Sequence, residues 1–435
     1  MRLKTLRLQN FRGIRDVTLD LGPERTRTTV LAGINGAGKS SLLDGAAMLL
    51  RLLVNDLMHR QTDPAALIAP SDLMVEAPDM RAAITVQWAG EEMVWSVRAS
   101  RARQHWRRGA LDTVLNAEGL ESLVRRIEET AAAPPLVAYY RVNRSVESAL
   151  PGACSSRAEE DFDPWEAYGS GPVFGSSDFQ SFFQWFRLRE DLENEERLRS
   201  PEAFDHRDPA LQAVRRAVES FLPGYRNLRI ARRSQTMVLS KDGMTGELDV
   251  TRLSNGERSL LALAGDIARR LAMLNEGAAD PLHGSGVVLI DEIELHLHPR
   301  WQRTVIANLE AAFPNLQFIV STHSPQVLGQ VAAESVLLLL NDPETGTVQP
   351  FAAQFAYGRD SNAILETLMD GAARDSRAEA DIAALFRAID EGDSARAQIL
   401  RAELASRIGE DEPKLAEADV YLHLMDSDGS PDEEE

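Results

Sequence analysis

Apolar positions along this chain follow two different rhythms. In residues 2–9, Leu3, Leu6 and Leu8 stand among polar neighbours and lead into Asn10-Phe11-Arg12-Gly13-Ile14. Spacing near two predicts a half-buried strand, with a second over Val17 to Leu21 and a short buried one at Thr29-Val30-Leu31-Ala32. From Ser41 to Leu53 the rhythm becomes helical, with Leu42, Leu43, Ala46, Ala47, Leu49, Leu50 and Leu53 forming a broad stripe. Ile84–Trp88 and Met93–Val97 predict antiparallel strands around a turn at Gly90. Leu136 to Tyr140 reads as a buried strand, followed by Arg141, Asn143 and Arg144.

Residues 150–178 are rich in Gly, Ser, Pro and Asp and are expected to be a loop. Phe179, Phe182, Phe183, Trp185 and Phe186 crowd a helix that ends in a charged run to Arg199. Core packing of a helical subdomain is the reading, with a base-stacking platform as the alternative. An amphipathic helix over 208–222 precedes strands at 226–232 and 235–240 and a Lys241-Asp242-Gly243 turn. There is no internal repeat and no heptad run for an extended coiled coil. From Tyr357 the chain leaves the core, with helices at about 376–391, 393–408 and 413–425 and an end, 426–435, too acidic to fold.

Hydrophobic residues make up 44% of the 435, enough for a substantial core. No apolar run reaches the ~20 residues of a membrane span. Met1-Arg2-Leu3-Lys4 enters a strand pattern with no signal-peptide core, so a cytoplasmic location is expected. Cys154 is the only cysteine, which excludes an intrachain disulfide and a cysteine zinc site. The net charge of −20 argues against a surface built for general nucleic-acid binding. Arg98, Arg101, Arg103, Arg107 and Arg108 around Trp106 leave room for a local basic groove.

The chemistry begins at Gly33-Ile34-Asn35-Gly36-Ala37-Gly38-Lys39-Ser40, with Ser41 next. A strand, a glycine-rich turn and a helix form the setting of a phosphate-binding loop. The glycines let backbone N–H groups point inward, and the helix N-terminus adds positive charge. Lys39 is expected at the β- and γ-phosphates of ATP, and the Ser40 hydroxyl on Mg²⁺. Val287-Val288-Leu289-Ile290-Asp291-Glu292 is an apolar strand ending in two acids. Asp291 suits Mg²⁺, directly or through water, and Glu292 suits polarising the attacking water. Phe318 to Pro325 is a third strand ending in a polar tip, where His323 can sense or hydrogen-bond the γ-phosphate. Leu253-Ser254-Asn255-Gly256-Glu257-Arg258-Ser259 opens another helix and offers a second phosphate site. His296 and His298 are two apart with no third ligand near, so a turn is expected there, not a metal centre.

These four pieces, in this order, resemble the ABC-type ATPase heads of the SMC and RecF group, as does the opening Leu-x-Leu-x-Asn-Phe-Arg-Gly-Ile. The resemblance covers about 1–55 and 245–345. It implies an α/β, ABC/SMC-type P-loop head with a mixed sheet and flanking helices over 1–355. A partly helical insertion at about 100–225, a helical extension over 356–425 and the acidic tail accompany that head. By motif, Gly33 to Ser40 would be Walker A and Asp291-Glu292 Walker B. Ser254, Asn255 and Gly256 would be the signature that meets ATP held by a second copy. Glu294 to Pro299 would be the D-loop and His323 the switch histidine. Arg12 matches an arginine that touches phosphates, and Gln87 is a candidate for the Q-loop. Asn255 departs from the usual second glycine of transporter signatures.

A narrower resemblance comes from Ala356 to Leu365 with the short helices and acidic finish. It is similar to the stand-alone ATPases of Septu-type anti-phage systems, also found beside some retrons, which work with a separate HNH nuclease. The implied function is an ATPase subunit that controls a partner nuclease in phage defence through ATP-dependent closure of a homodimer. Higher assembly and nucleic acid in the complex are compatible with it, and no membrane is involved. The alternatives are a RecF-like repair ATPase that clamps DNA directly and an ATP-sensing scaffold with negligible turnover. The N-terminal strand pattern and the signature disfavour a transporter motor. An overcoming-lysogenisation nuclease is disfavoured because 356–435 is shorter than a typical domain of ~100–150 residues.

Overall fold

Strand β1 (Arg2–Phe11) turns at Arg12-Gly13 and pairs antiparallel with β2 (Ile14–Asp20), Leu6 opposite Leu19 and Leu8 opposite Val17. The other edge of β1 pairs with β4 (Asp79–Trp88), which continues through the Gly90 turn into β5 (Glu91–Arg101) and then β6 (Leu111–Asn116). This five-stranded sheet has the order β2-β1-β4-β5-β6. The computed structural model describes residues 1–21, 27–60, 63–101, 111–142, 163–169, 179–199, 205–342, 345, 347–354, 356–359, 361, 363–364, 376–410 and 412–428. Arg103, Trp106, Arg107 and Arg108, Asn143 and Arg144, Cys154, most of the expected 150–178 loop, Asp360, Asn362 and 429–435 lie outside the described residues.

A second sheet is six-stranded, in the order β14-β13-β3-β12-β11-β7. Its strands are β3 (Thr28–Ala32), β7 (Leu136–Tyr140), β11 (Gly286–Ile290), β12 (Leu316–Thr322), β13 (Val336–Asp342) and β14 (Thr347–Ala352). All neighbours are parallel except β13 and β14. β3, β7, β11 and β12 are buried along their whole length, as their unbroken apolar runs demand of central parallel strands.

Helix α1 (Lys39–Leu57) lies between the two sheets, touching β1, β4 and β5 on one side and β7, β11 and β12 on the other. This double burial explains why its apolar stripe is so broad. Trp95 of β5, fully buried, donates its Nε1–H to Leu49 O at 3.0 Å. Beyond the six-stranded sheet pack α3 (Phe179–Arg199), α4 (Pro209–Phe221) and α5 (Asn255–Leu274), with α2 (Glu118–Glu129) against β5. Phe182, Trp185 and Phe186 of α3 are core residues, as expected. A small sheet, β10-β9-β8, is formed by β8 (Tyr225–Ala231), β9 (Thr236–Lys241) and β10 (Glu247–Asp249).

The chain divides into two compact units, Met1–Ile364 and Leu365–Glu435. In the second, α6 (Ser376–Asp390), α7 (Ser394–Ile408) and α8 (Pro413–Asp428) close around Leu385, Ala397, Leu404, Leu415 and Ala418. The last helix runs three residues past the expected end at 425. Among the described residues no helix is long and apolar enough to cross a membrane.

Candidate nucleotide site

Strand order and register build this site. β12 lies between β3 and β11, pairing Thr322 with Ala32 and Val320 with Ile290. Gly33, His323 and Asp291 therefore leave the same carboxyl edge of three adjacent strands, where parallel sheets place their ligands. The loop after β3 turns through Gly36 and Gly38 at positive φ and enters α1 at Lys39. Gly33, at φ 152°, passes so close to β13 that a Cβ would stand 2.7 Å from Leu339 O. Ile34, Asn35 and Gly36 form the exposed crest, Ala37 is buried, and Ser40 and Ser41 begin the first turn of α1.

Lys39 is 5% exposed, and its Nζ donates to Gly33 O at 2.8 Å and Ile34 O at 2.9 Å. Burial brings its pKa down to about 8, although the charges of Asp291, Glu292 and Glu294 oppose that shift. Facing it, Asp291 is 4% exposed and accepts a hydrogen bond from Ser321 Oγ at 2.5 Å. The Glu292 N–H donates to Ser321 Oγ at 2.8 Å, and the Asp291 N–H donates to Tyr140 O at 2.8 Å. Glu292 sits at φ 47°, an uncommon conformation for a residue with a Cβ and one that clusters at functional sites. The His323 pKa is lowered by burial first and by Lys39 next, against the pull of Glu294, Glu292 and Asp291. The imidazole is thereby kept toward its neutral form, able both to donate and to accept.

The signature segment takes a different place. Ser254 caps α5 in a reciprocal capping box with Glu257: its N–H and Oγ donate to Glu257 Oε2 at 2.8 and 2.7 Å, and the Glu257 N–H returns to Ser254 Oγ at 3.3 Å. Tyr225 OH donates to Glu257 Oε1 at 2.5 Å. Ser254 and Asn255 are exposed, and Arg258 donates to Asn255 Oδ1. Gly256 is buried against its own chain, where a Cβ would lie 2.7 Å from His296 O and 2.9 Å from the Trp301 ring. His298 Nδ1 accepts the Arg300 N–H at 3.2 Å and so caps the short helix Pro299–Gln302, while His296 takes the left-handed backbone of a turn. Among the described residues no group of three or more His, Cys, Asp or Glu could hold a metal.

Two family models match the segments that carry these motifs. "AAA ATPase domain" matches residues 1–118, and "AAA domain, putative AbiEii toxin, Type IV TA system" matches residues 164–329. The retron Ec83 probable ATPase of Escherichia coli is 29% identical over 428 residues, covering 86% of this chain and 77% of that protein. The retron Vc95 probable ATPase of Vibrio cholerae is 26% identical, covering 84% and 79%. The Septu protein PtuA of Bacillus mycoides is 42% identical over 91 residues, 21% of this chain and 12% of that protein. This is an ATPase with AAA-type domains, similar to the retron and Septu proteins. A solved SMC head bound to the C-terminal winged helix of ScpA overlays 81% of the ATPase and 98% of its own chain, with a TM-score of 0.48 and 15% identity. Strand order and motif placement, not that overlay, define the fold here.

Gln87 stands elsewhere than its motif implies, and Arg12 reaches the first helix of the ATPase through a carboxylate. Arg12, also at positive φ, is engaged by Asp44 and Asp72, its Nη1 2.5 Å from Asp44 Oδ2 and its Nε 2.9 Å from Asp72 Oδ1. No hydrogen bond found among the described residues joins it to the loop at Gly33–Ser40. Gln87 lies on β4 opposite Arg2 and Glu92, in the antiparallel sheet and not at the carboxyl edge of the parallel one. The strand that flanks the acids is β7, and the residue at its tip is Arg141. A further carboxylate, Glu294, accepts from Thr322 Oγ1 at 2.8 Å and from the His323 N–H at 2.5 Å, fixing the end of β12. Its place in the D-loop segment gave no hint of this role, since the contact joins residues from separate strand ends.

Proposed function

We propose that the ATPase binds ATP with Mg²⁺ at the carboxyl edge of β3, β12 and β11 and hydrolyses it there. The observation that carries this reading is that the loop bearing Lys39, the Asp291-Glu292 pair and His323 all follow three adjacent parallel strands at one carboxyl edge. Backbone N–H groups of Asn35 to Ser41 and the Lys39 ammonium receive the phosphates. The Ser40 hydroxyl and the Asp291 carboxylate fit Mg²⁺, a hard cation that takes one or two protein oxygens and completes its shell with water and phosphate. Bound there, it would neutralise charge on the β- and γ-phosphates. Glu292 orients the attacking water and takes its proton, and His323 contacts the terminal phosphate.

The outward-facing Ser254 and Asn255, with the N-terminus of α5, supply the second face of the site in a homodimer that closes over two nucleotides. Closure would regulate a separate partner, an HNH nuclease, in defence against phage. This last step is supported by the kinship with retron and Septu proteins. Light scattering of the full chain with and without ATP and Mg²⁺, read beside phosphate release, tests the reading. Absence of nucleotide binding overturns it at the root; binding without pairing overturns the closure. An HNH open reading frame beside the gene is the expected genetic context, and its co-expression should be required for protection against phage.

A further inference from the structure

Two arginines from distant parts of the chain meet on one carboxylate of α1. Asp44 follows Ser40 by four residues, so their side chains share a face of the helix about 6 Å apart along its axis. Asp44 Oδ2 accepts from Arg12 and Asp44 Oδ1 accepts from Arg141 Nη2 at 2.7 Å. Arg12 is held twice more by Asp72, through its Nε and through its own N–H to Asp72 O at 2.8 Å. Arg141 is held more lightly. Among the described residues Asp44 is its carboxylate partner, its side chain is 47% exposed, and its guanidinium lies 5.3 Å from the centre of the Tyr139 ring. Its position is fixed by the strand, because Tyr140 O accepts the Asp291 N–H. Arg141 is thus the first residue beyond the contact that joins β7 to the acids. A cavity of about 110 Å³ among Arg12, Asp44, Asp72, Tyr139 and Arg141 gives the guanidinium room to move.

We propose that Arg141 is a nucleotide-binding residue that exchanges the Asp44 carboxylate for the terminal phosphate of a bound nucleoside triphosphate. The proposal rests on the nucleotide lying at Lys39 and Ser40. Carboxylate and phosphate present the same paired oxygens to a guanidinium fork, so the two partners compete on similar terms. Asp44 sits one turn below Ser40, the residue assigned above to the Mg²⁺ of the bound nucleotide, and a nucleoside diphosphate leaves no γ-phosphate for Arg141 to take. Asp44 therefore acts as the resting partner that a triphosphate must displace.

Equilibrium binding of a non-hydrolysable ATP analogue and of ADP, both with Mg²⁺, to the full chain is the test. Arg141→Ala should weaken the analogue roughly 10- to 100-fold, the range for hydrogen bonds to a charged group. ADP affinity should stay within about two-fold, and Arg141→Lys should recover part of the loss. Asp44→Asn should tighten the analogue relative to ADP, and that gain should vanish when Arg141→Ala is added. Equal losses for both nucleotides in Arg141→Ala, or an Asp44→Asn variant with an unchanged ratio, overturns the exchange. If Arg141→Ala does not fold, Arg141→Gln and the Asp44→Asn ratio decide in the same way. A wild-type chain that binds neither nucleotide, or a Lys39→Ala variant that binds both normally, overturns the underlying site and the exchange with it.

Discussion

The Ser321 hydroxyl donates to the Asp291 carboxylate at 2.5 Å, across the boundary between two parallel strands. The same oxygen accepts the Glu292 N–H, so one fully buried side chain of β12 sets both acids that follow β11. Ser321→Ala removes both hydrogen bonds, one of them to a buried carboxylate, at a cost of about 1–3 kcal/mol. Urea unfolding should show that loss, and phosphate release should slow. An unchanged unfolding midpoint with unchanged turnover would mean that the acids are held by something else.

Lys39 supplies a pH dependence. Its pKa in the folded chain, about 8, lies below the ordinary 10.5 because burial disfavours the ammonium. Between those values the unfolded chain binds more protons than the folded one, so this group's contribution to stability rises with pH across that window. A phosphate partner favours the cation and raises the pKa again. ATP binding near pH 8 should therefore take up a proton, and affinity should fall as pH rises further. Titration calorimetry in buffers of different ionisation enthalpy reads the uptake. Lys39→Ala should bind weakly and show neither effect.

The paired arrangement is tested at Ser254. This residue is exposed and, among the described residues, its side chain serves as a helix cap. Ser254→Arg places a bulky cation where the second nucleotide would enter. Binding by the single chain should persist while the ATP-dependent increase in mass disappears. The same ATP-dependent species in both proteins would rule out a site shared between copies, whereas a larger assembly of dimers would agree with it.

Glu292→Gln separates binding from turnover. The amide keeps the shape and the left-handed backbone but cannot take the proton of the attacking water. Turnover should fall ~10²- to 10⁴-fold, as for loss of a general base, while ATP is retained and the closed dimer accumulates. Single-turnover phosphate release measured beside binding is the readout. Unchanged hydrolysis would pass the role to His323.

The strands that carry the chemistry were legible because central parallel strands are apolar on both faces and their polar tips stand out. β11 begins and ends within two residues of its expected run, β12 starts two residues before its run and stops three short of it, and α1 overran its expected span at both ends. β6 was not legible. Its apolar Leu111, Val114 and Leu115 are not spaced by two, and Val114 points outward at 67% exposure. β13 and β14 were equally hidden, since their places are set by pairing with β3 some 300 positions earlier in the chain and with each other. The same limit explains Gln87 and Arg141. Which strand borders the acids is a property of sheet order, and no local spacing encodes it. Asp44 was absorbed into the polar face of a helix, and only the assembled fold brings two arginines onto it.

Gln317 is buried in β12 and exchanges two hydrogen bonds with the backbone of Leu3, at 2.7 and 2.9 Å, across 314 residues of sequence. The first strand is thus finished by a residue that is synthesised long after it. At ~5–20 residues per second that wait is on the order of 15–60 s. During it the phosphate loop has no β12 beside it and no acids opposite. The nascent chain cannot assemble its hydrolytic edge until β12 has been made, so synthesis itself delays the appearance of activity.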